Sequence, residues 1–188
     1  NLICNLESKH SRLESFVGCT SVSVKRSFFQ SLLSQTNGGS ICVDGEMLFD
    51  VSLSIFLDCN SSQFGGGLYS HSTRNSLSTL CFIDCYSHHP GAEDAGHSAY
   101  LMCKSISQTS DFNRSYVVRS TKEPTGRSSS VLFASTTQLF SKSNFSHNSM
   151  KPYEVVQSDS LNRDASYNIF SNCTSSPINS FLYYKGSW

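Results

Sequence analysis

The chain has 188 residues, a formal net charge of zero and only 15% charged residues. This balance gives no electrostatic reason to expect nucleic acid or an anionic membrane surface as a partner. Aromatic residues make up 12% of the chain, although serine is its commonest residue. A disordered serine-rich linker would lack those aromatics, because it buries too little apolar surface to offset chain entropy. We therefore expect a folded protein with a surface of small polar residues.

No run approaches 18 apolar residues, so the sequence predicts no transmembrane helix and no direct insertion into a membrane. The chain starts at Asn1 without an initiator methionine, and no basic stretch followed by an apolar one opens it. A signal peptide is therefore not expected in these residues. We expect residues 1–188 to form a single domain that is one segment of a longer chain.

One phrase recurs along the chain, a short apolar run that contains a phenylalanine. This anchor occurs at Phe29, Phe56 and Phe82 and then, after a long gap, at Phe145 and Phe170. On either side of the gap, successive anchors lie about 26 residues apart, and a period of this length indicates a stack of similar structural units.

A second phrase keeps step with the first. It is a corner of small residues that leads into a short apolar strand. Clear copies occupy 38–43, 65–69 and 96–101, and weaker copies occupy 129–133, 153–156 and 180–183. Two phrases that repeat in step are much harder to obtain by chance than one, so the repeat is the strongest signal in the chain.

The repeat predicts an all-β protein. Its apolar runs have four to six residues, are rich in β-branched and aromatic types, and end at Gly, Ser or Asn, as short strands do. About 26 residues suit one coil of three strands, and stacked coils lie about 4.8 Å apart. The predicted fold is a right-handed parallel β-helix, a solenoid of about six to seven coils, with Phe56, Phe82 and Phe170 stacked inside. The alternative is a β-sandwich, which needs hairpin turns, and the chain has a single Asn-Gly dipeptide, at 37–38.

These phrases resemble the repeats of the polymorphic membrane protein type within the right-handed β-helix superfamily, which combine GGA(I/V/L) with FxxN. Residues 38–41 (Gly-Gly-Ser-Ile) approximate the first motif, and residues 145–148 (Phe-Ser-His-Asn) match the second. The resemblance extends over about residues 27–185 and implies a β-helix and a surface protein. Cysteine replaces the motif's asparagine at three places, Cys59, Cys85 and Cys173.

The eight cysteines form an even number, which is compatible with disulfides in an oxidising compartment or with buried free thiols. Cys59 and Cys85 occupy equivalent places in adjacent repeats, so their Cα atoms should lie about 4.8 Å apart. Either a disulfide between them or a ladder of thiols fits that distance. One close pair, Cys81 and Cys85, does not make a zinc-site spacing, and we expect neither a metal nor another cofactor.

Asp58 and Asp84 precede those cysteines and should also stack. Two carboxylates about 5 Å apart are the arrangement of a retaining glycosidase, which makes them the only candidates for catalysis. Such a site needs a cationic or proton-donating partner, for which Arg74 and Lys104 are candidates by their place in the sequence. The alternative is a pair of solvated turn residues, with Asn172 as a third member. We expect the protein not to be an enzyme.

Two stretches, at about 86–98 and 105–130, are longer than the repeat requires. We expect them to be enlarged loops, and such insertions in a solenoid are where binding usually occurs. The first contains His88, His89 and His97 near two carboxylates, which permits a metal site. A polar surface loop is the favoured interpretation, since adjacent histidines lack the helical spacing of metal ligands.

Sequons for N-glycosylation occur at Asn60, Asn113, Asn144 and Asn172. The leading hypothesis is a structural or adhesive segment of a surface or secreted protein, a rigid scaffold with protruding binding loops. Its expected partners are other proteins or neighbouring copies that cover the coil ends, and glycans. The alternatives are a carbohydrate-active enzyme of the polysaccharide lyase or glycoside hydrolase type, and an intracellular scaffold in a large assembly.

Overall fold

Strands and turns build the whole of the chain that the computed structural model describes. These residues are 3–6, 9–10, 14–16, 19–88, 93–105, 107–120, 127–134, 137–150, 156–158, 163–175 and 182–184. Among them there is no helix of the length and apolarity needed to cross a membrane.

The strands are short and follow one another in a repeating order. In the first three coils they are β1 (Ile3–Leu6), β2 (Lys9–His10), β3 (Glu14–Phe16), β4 (Ser21–Lys25), β5 (Phe28–Gln30), β6 (Leu33–Ser34), β7 (Ile41–Asp44), β8 (Leu48–Ser52), β9 (Ile55–Leu57), β10 (Asn60–Ser61) and β11 (Leu68–Ser72). The fourth and fifth coils contain β12 (Arg74–Ser78), β13 (Cys81–Ile83), β14 (Tyr86–Ser87), β15 (Glu93–Cys103), β16 (Thr109–Asn113), β17 (Tyr116–Val118) and β18 (Arg127–Ala134). The last two contain β19 (Thr137–Ser141), β20 (Asn144–Ser146), β21 (Ser149–Met150), β22 (Val156–Ser158), β23 (Arg163–Ser166), β24 (Ile169–Ser171), β25 (Thr174–Ser175) and β26 (Leu182–Tyr184).

Three parallel sheets of seven strands form the sides of the solenoid. Sheet 1 contains β1, β4, β8, β12, β16, β19 and β23, and sheet 2 contains β2, β5, β9, β13, β17, β20 and β24. Sheet 3 contains β3, β7, β11, β15, β18, β22 and β26, and two small sheets join β6 to β10 and β14, and β21 to β25. Each strand thus pairs with the strand one coil away, which confirms the predicted parallel β-helix class. The right-handed sense stays a prediction, as parallel crossovers favour it.

The predicted phenylalanine stack lies inside the solenoid. The rings of Phe29 and Phe56 are 4.9 Å apart and those of Phe56 and Phe82 are 4.6 Å apart, all nearly parallel. Phe170 stacks on Phe145 at 5.3 Å. All except Phe170, which is partly buried, have no exposed surface. The stack therefore forms the core on the side of sheet 2.

The long gap between Phe82 and Phe145 contains a further coil without a phenylalanine at this place. Val117 pairs with Phe82 on one side and with Phe145 on the other. Phe112, from sheet 1, reaches toward the space that the smaller side chain leaves, with its ring 6.3 Å from that of Phe82 and 6.4 Å from that of Phe145. The core thus stays filled although the anchor residue changes.

The two predicted loops lie partly in strands and partly, at 89–92, 106 and 121–126, outside the described residues. The stretch 86–98 contains β14 and the start of β15, and the stretch 105–130 contains β16, β17 and the start of β18. Much of what the sequence suggested as loop is therefore strand. The period was hidden because the fifth coil has valine where the other coils have phenylalanine.

From the second coil onward, two tight corners in each described coil have the left-handed backbone conformation. Corner 1 follows the sheet 1 strands and consists of Arg26, Leu53, Thr79, Arg114, Lys142 and Tyr167, with φ between 48° and 57°. Corner 2 follows the sheet 2 strands and consists of Ser31, Asp58, Asp84, Arg119, His147 and Asn172, with φ between 50° and 55°. These corners turn the chain sharply, so that it passes from a strand of one sheet to a strand of the next within a few residues.

Two separate constraints require glycine at the glycine pairs. Gly38 and Gly65 have positive φ of 67° and 65°, which glycine adopts without steric cost. Gly66 has no room for a side chain, because a Cβ there would lie 2.3 Å from backbone atoms of Tyr86 and His97. The second phrase of the repeat therefore marks a close approach of adjacent coils.

We expect the substitution Phe56→Ala to lower the free energy of unfolding by about 3–5 kcal/mol, because it leaves a cavity between two stacked rings. Ile55 is the matched control, since it is the preceding residue of the same strand and is 42% exposed. Ile55→Ala should cost less than about 1 kcal/mol. Urea unfolding of both variants measures the difference, and equal losses would contradict an inward-facing aromatic column.

Candidate functional site

The two candidate carboxylates lie in corner 2, on the outside of the solenoid. Asp58 and Asp84 are neighbours in this column, since the strands that precede them pair Leu57 with Ile83. Both have φ near 50°, a conformation that aspartate and asparagine adopt more readily than most residues. Their residue type is therefore explained by the turn itself.

Hydrogen bonds engage both carboxylates. Asp84 accepts two hydrogen bonds of 2.9 Å from Arg119, one coil above, in a bidentate ion pair. This contact raises the pKa of the Arg119 guanidinium. Asp58 accepts hydrogen bonds of 3.3 Å from Ser31 and from the Asn60 amide. The column thus works as a chain of paired polar groups, and its catalytic role stays a prediction without further support.

The cationic partner of the pair is not one of those that the sequence suggested. Arg74 lies on sheet 1, with Nη2 3.5 Å from Asp111 Oδ2, and Lys104 Nζ lies 3.2 Å from Glu46 Oε1. The sequence concealed Arg119 because its distance from Asp84 along the chain is longer than one regular repeat. A register based on Val117 as the missing anchor would have found it.

A shallow groove lies on the outer surface of sheet 1. Its volume is about 310 Å³, and it is lined by Ser21, Leu48, Phe49, Asp50, Arg74 and Ser76. Lys25 lies 3.9 Å from Asp50, so charges of both signs alternate along this surface. The groove offers donors and acceptors to a small polar ligand, and sequence reasoning did not single it out.

Inside corner 2, the next residue of each coil points into the core, and this column contains the predicted thiols. Cys59 and Cys85 are free and fully buried, which corresponds to the thiol ladder and not to the disulfide. The Cys85 thiol lies 3.4 Å from the carbonyl oxygen of Phe56, in the preceding coil. Burial raises the pKa of Cys85 well above its ordinary value, so this thiol is protonated and unreactive.

Asn148 occupies the same column two coils after Cys85. Its hydrogen bonds show how this column binds the backbone. Its Nδ2 donates to the carbonyl oxygen of Val117 at 2.9 Å, and its Oδ1 accepts from the Ser120 amide at 2.9 Å. Cys173 takes the place in the following coil, 3.3 Å from the carbonyl oxygen of Phe145. Cysteine and asparagine therefore share one task, which is to pair main-chain groups of the adjacent coil.

The histidine-rich stretch divides between surface and core. His88 is exposed, His89 lies outside the described residues, and His97 is only 5% exposed. The Ser87 amide donates to His97 Nδ1 at 3.1 Å, so this nitrogen is occupied as an acceptor. Burial lowers the pKa of His97 to about 4. Within the described part of the chain, no three His, Cys, Asp or Glu residues are grouped as metal ligands.

The four sequons differ in their exposure. Asn172 is exposed at corner 2, where its amide lies 3.3 Å from His147 Nε2. Asn60 and Asn144 each have a buried Oδ1 without a hydrogen-bond partner among the described residues, and Asn113 is half-buried at the end of β16. Asn172 is thus the sequon most accessible to a modifying enzyme.

Comparison with known proteins adds no assignment, because no protein family, no curated protein and no solved structure matches the chain. The functional argument therefore depends on the described geometry.

We expect stability to depend on pH through His97. Its folded pKa of about 4 lies below the unfolded value of about 6.5. The unfolded chain alone binds this proton as the pH falls from about 6.5 to 4, so the free energy of unfolding decreases there by up to about 3 kcal/mol. Above pH 7 this contribution is constant.

Urea unfolding between pH 7.5 and 4 measures this loss. The substitution His97→Asn should remove it, since an amide oxygen can replace Nδ1 as the acceptor for Ser87. His88→Asn, at an exposed histidine, is the control and should leave the pH dependence intact. The same slope in wild type and His97→Asn would show that another group titrates.

The inner column of corner 2 gives a further prediction. Asn148→Ala leaves a buried amide and a buried carbonyl unpaired, so it should lower the free energy of unfolding by about 3 kcal/mol. Asn172→Ala is the matched control at an exposed asparagine and should cost less than about 1 kcal/mol. Thermal unfolding of both variants tests this, and a small loss in Asn148→Ala would show that the column does not stabilise the coil stack.

Proposed function

We propose that the chain is a non-enzymatic structural or adhesive segment of a surface or secreted protein. In this role the solenoid is a rigid scaffold that holds binding surfaces on its outside. The proposal rests on the hydrogen bonds of the two candidate carboxylates. Asp84 accepts from Arg119, and Asp58 accepts from Ser31 and Asn60. Contacts of this kind stabilise the coil stack, and they engage both carboxylates of this pair within the described structure.

The packed interior supports the same proposal. The aromatic core and the buried serines fill the solenoid along the described coils. Molecular recognition is therefore expected on the outer surfaces, including the turns within 86–98 and 105–130. Of the strands in these stretches, β15 and β18 belong to sheet 3, where they pair from Glu93 to Met102 with two bulges.

Two observations favour a location outside the cell. Cys19 is disulfide-bonded, and disulfides persist in oxidising compartments. Asn172 presents its sequon at an exposed turn, beside His147 of the neighbouring coil. We also propose that the repeats are of the polymorphic membrane protein type, on the glycine and phenylalanine phrases that the structure places at equivalent points of successive coils.

The location is tested by mass mapping of the protein isolated from its own cells. We expect an N-linked glycan at Asn172 and none at Asn60 or Asn144, whose side-chain oxygens are buried. Labelling of intact cells with an impermeant reagent should reach the chain. An unmodified Asn172 together with a chain that the reagent cannot reach would assign the protein to an intracellular assembly instead.

The adhesive role is tested with beads that carry the chain. Such beads should bind to the intact cells that produce the protein, and albumin-coated beads should not. A polysaccharide panel provides the enzymatic arm: turnover that is lost in both Asp58→Asn and Asp84→Asn would replace this proposal by a carbohydrate-active enzyme.

A further inference from the structure

The outer surface of sheet 2 is apolar across the third to fifth coils, whereas that of sheet 1 is mostly polar and has Leu48 and Leu139 as its exposed apolar residues among the described ones. Ile55, Tyr116 and Ile169 point outward from its strands and are 42%, 55% and 60% exposed. The half-buried side chains of Ile83 and Val118 lie beside them. The apolar surface is contiguous from Ile55 to Val118, and Asn144 and Ser146 of β20 separate it from Ile169. Contiguous apolar surface of this kind marks a site of interaction in a folded protein.

The corners give this surface two polar borders. Corner 1 contributes three cations, Arg26, Arg114 and Lys142, and the exposed ring of Tyr167, all on one edge. Corner 2 contributes acids in its early coils, at Asp58 and Asp84, and basic residues in its later coils, at Arg119 and His147. The charge of corner 2 thus changes sign along the solenoid axis. We call the outward residues of sheet 2 with both corners face 2.

We propose that face 2 binds the same face of a second copy of this chain, in an antiparallel arrangement. The two-fold axis passes between the fourth and fifth coils, that is, between β13 and β17. This inference rests on the proposed adhesive role and names its partner. A two-fold contact requires a patch that complements itself, and the order of charges in corner 2 meets that requirement.

The pairing follows from the coil order. The rotation places Asp84 opposite Arg119 of the second copy, and Asp58 opposite its His147. Since Arg119 also binds Asp84 of its own chain, the first contact sets two ion pairs side by side with opposite polarity. On the apolar strip it places Cys81 opposite Tyr116 and Ile83 opposite Val118. In the next coils the rotation places Ile55 opposite Asn144 and Leu57 opposite Ser146. The contacts therefore join opposite charges at one edge and apolar groups in the two central coils.

Corner 1 is compatible with the same arrangement. Thr79 faces Arg114 of the second copy, Leu53 faces its Lys142, and Arg26 faces the ring of its Tyr167. No like charges meet. A parallel arrangement would place Arg114 opposite Arg119 and Asp58 opposite Leu53, so it is disfavoured on both counts.

The size of face 2 indicates a weak contact. Six coils at about 4.8 Å and a width of about five residues give roughly 500 Å² for each copy. Stable dimers bury about 800 Å² for each partner, so we expect a dissociation constant in the micromolar range or above. Weak contacts of this kind become effective when many copies are displayed together, as an adhesive surface requires.

Sedimentation equilibrium of the chain over a concentration series measures the association, after enzymatic removal of any glycan at Asn172. Tyr116→Glu places a charge in the middle of face 2 and should abolish dimers. Leu48→Glu is the matched control, because Leu48 is 53% exposed on sheet 1 and Tyr116 is 55% exposed. A chain that stays monomeric at millimolar concentration, or a dimer that tolerates Tyr116→Glu, overturns the proposal.

A charge exchange identifies the arrangement. Asp58 and His147 lie three coils apart within one chain, about 14 Å, and meet only across the two-fold axis. Asp58→Arg or His147→Asp alone should raise the dissociation constant about fivefold at pH 6, since each dimer contains the pair twice. The double variant should restore the wild-type value. Both substitutions suit the corner, where arginine and aspartate already occur with positive φ.

Failure of rescue in the double variant overturns the antiparallel arrangement. Beads that bind cells while the chain stays monomeric leave the adhesive role intact and exclude a second copy as its partner. Dimers that form while the beads bind no cells support self-association and exclude adhesion to the cell surface. The two proposals therefore fail separately.

Discussion

The fold depends on one constraint, the pairing of main-chain polar groups at the corners. A buried amide or carbonyl without a partner is costly, and a coil with two sharp turns exposes several of them to the core. At corner 2 the amide of each left-handed residue donates to a carbonyl of the next coil, as between Asp58 and Ile83 at 2.9 Å. The stack of coils therefore satisfies groups that one coil alone would leave unpaired.

The inner side chains complete this pairing and explain the unusual composition. After corner 1, the Ser54 hydroxyl accepts from the Ser27 amide at 3.1 Å and donates to the Ser52 carbonyl at 2.8 Å. Near the end of the chain, the side-chain oxygen of Asn168 accepts from the Ser143 amide in the same way, and its amide group donates to the Phe140 carbonyl of the preceding coil. Serine, asparagine and cysteine are small enough to enter the turn and can pair with the backbone. A serine-rich, weakly charged sequence thus builds a core here and not a linker.

Sequence reasoning found the parts of the fold that repeat strictly. The spacing of Phe29, Phe56 and Phe82 was sufficient to predict a shared column, and the place of Cys59 and Cys85 beside it followed. Sequence reasoning failed at the fifth coil. There Val117 occupies the position of the phenylalanine, and Phe112, from sheet 1, fills part of the remaining space. The pairing of Asp84 with Arg119 was lost with that coil.

Packing inside the solenoid determines the residue types at the inward-facing positions of each strand. It does not determine the residue types at the outward-facing positions. On sheet 1 the outward-facing positions are mostly polar, with Asp50, Ser76 and Asp111 in one column that continues at the exposed Leu139. On sheet 2 the same positions are apolar at Ile55 and Tyr116, although the coil stack does not require it. The proposed contact with a second copy gives these two residues a role that core packing does not. The charge of corner 2 changes sign along the solenoid axis. This change distinguishes a surface that complements itself from one that is merely apolar.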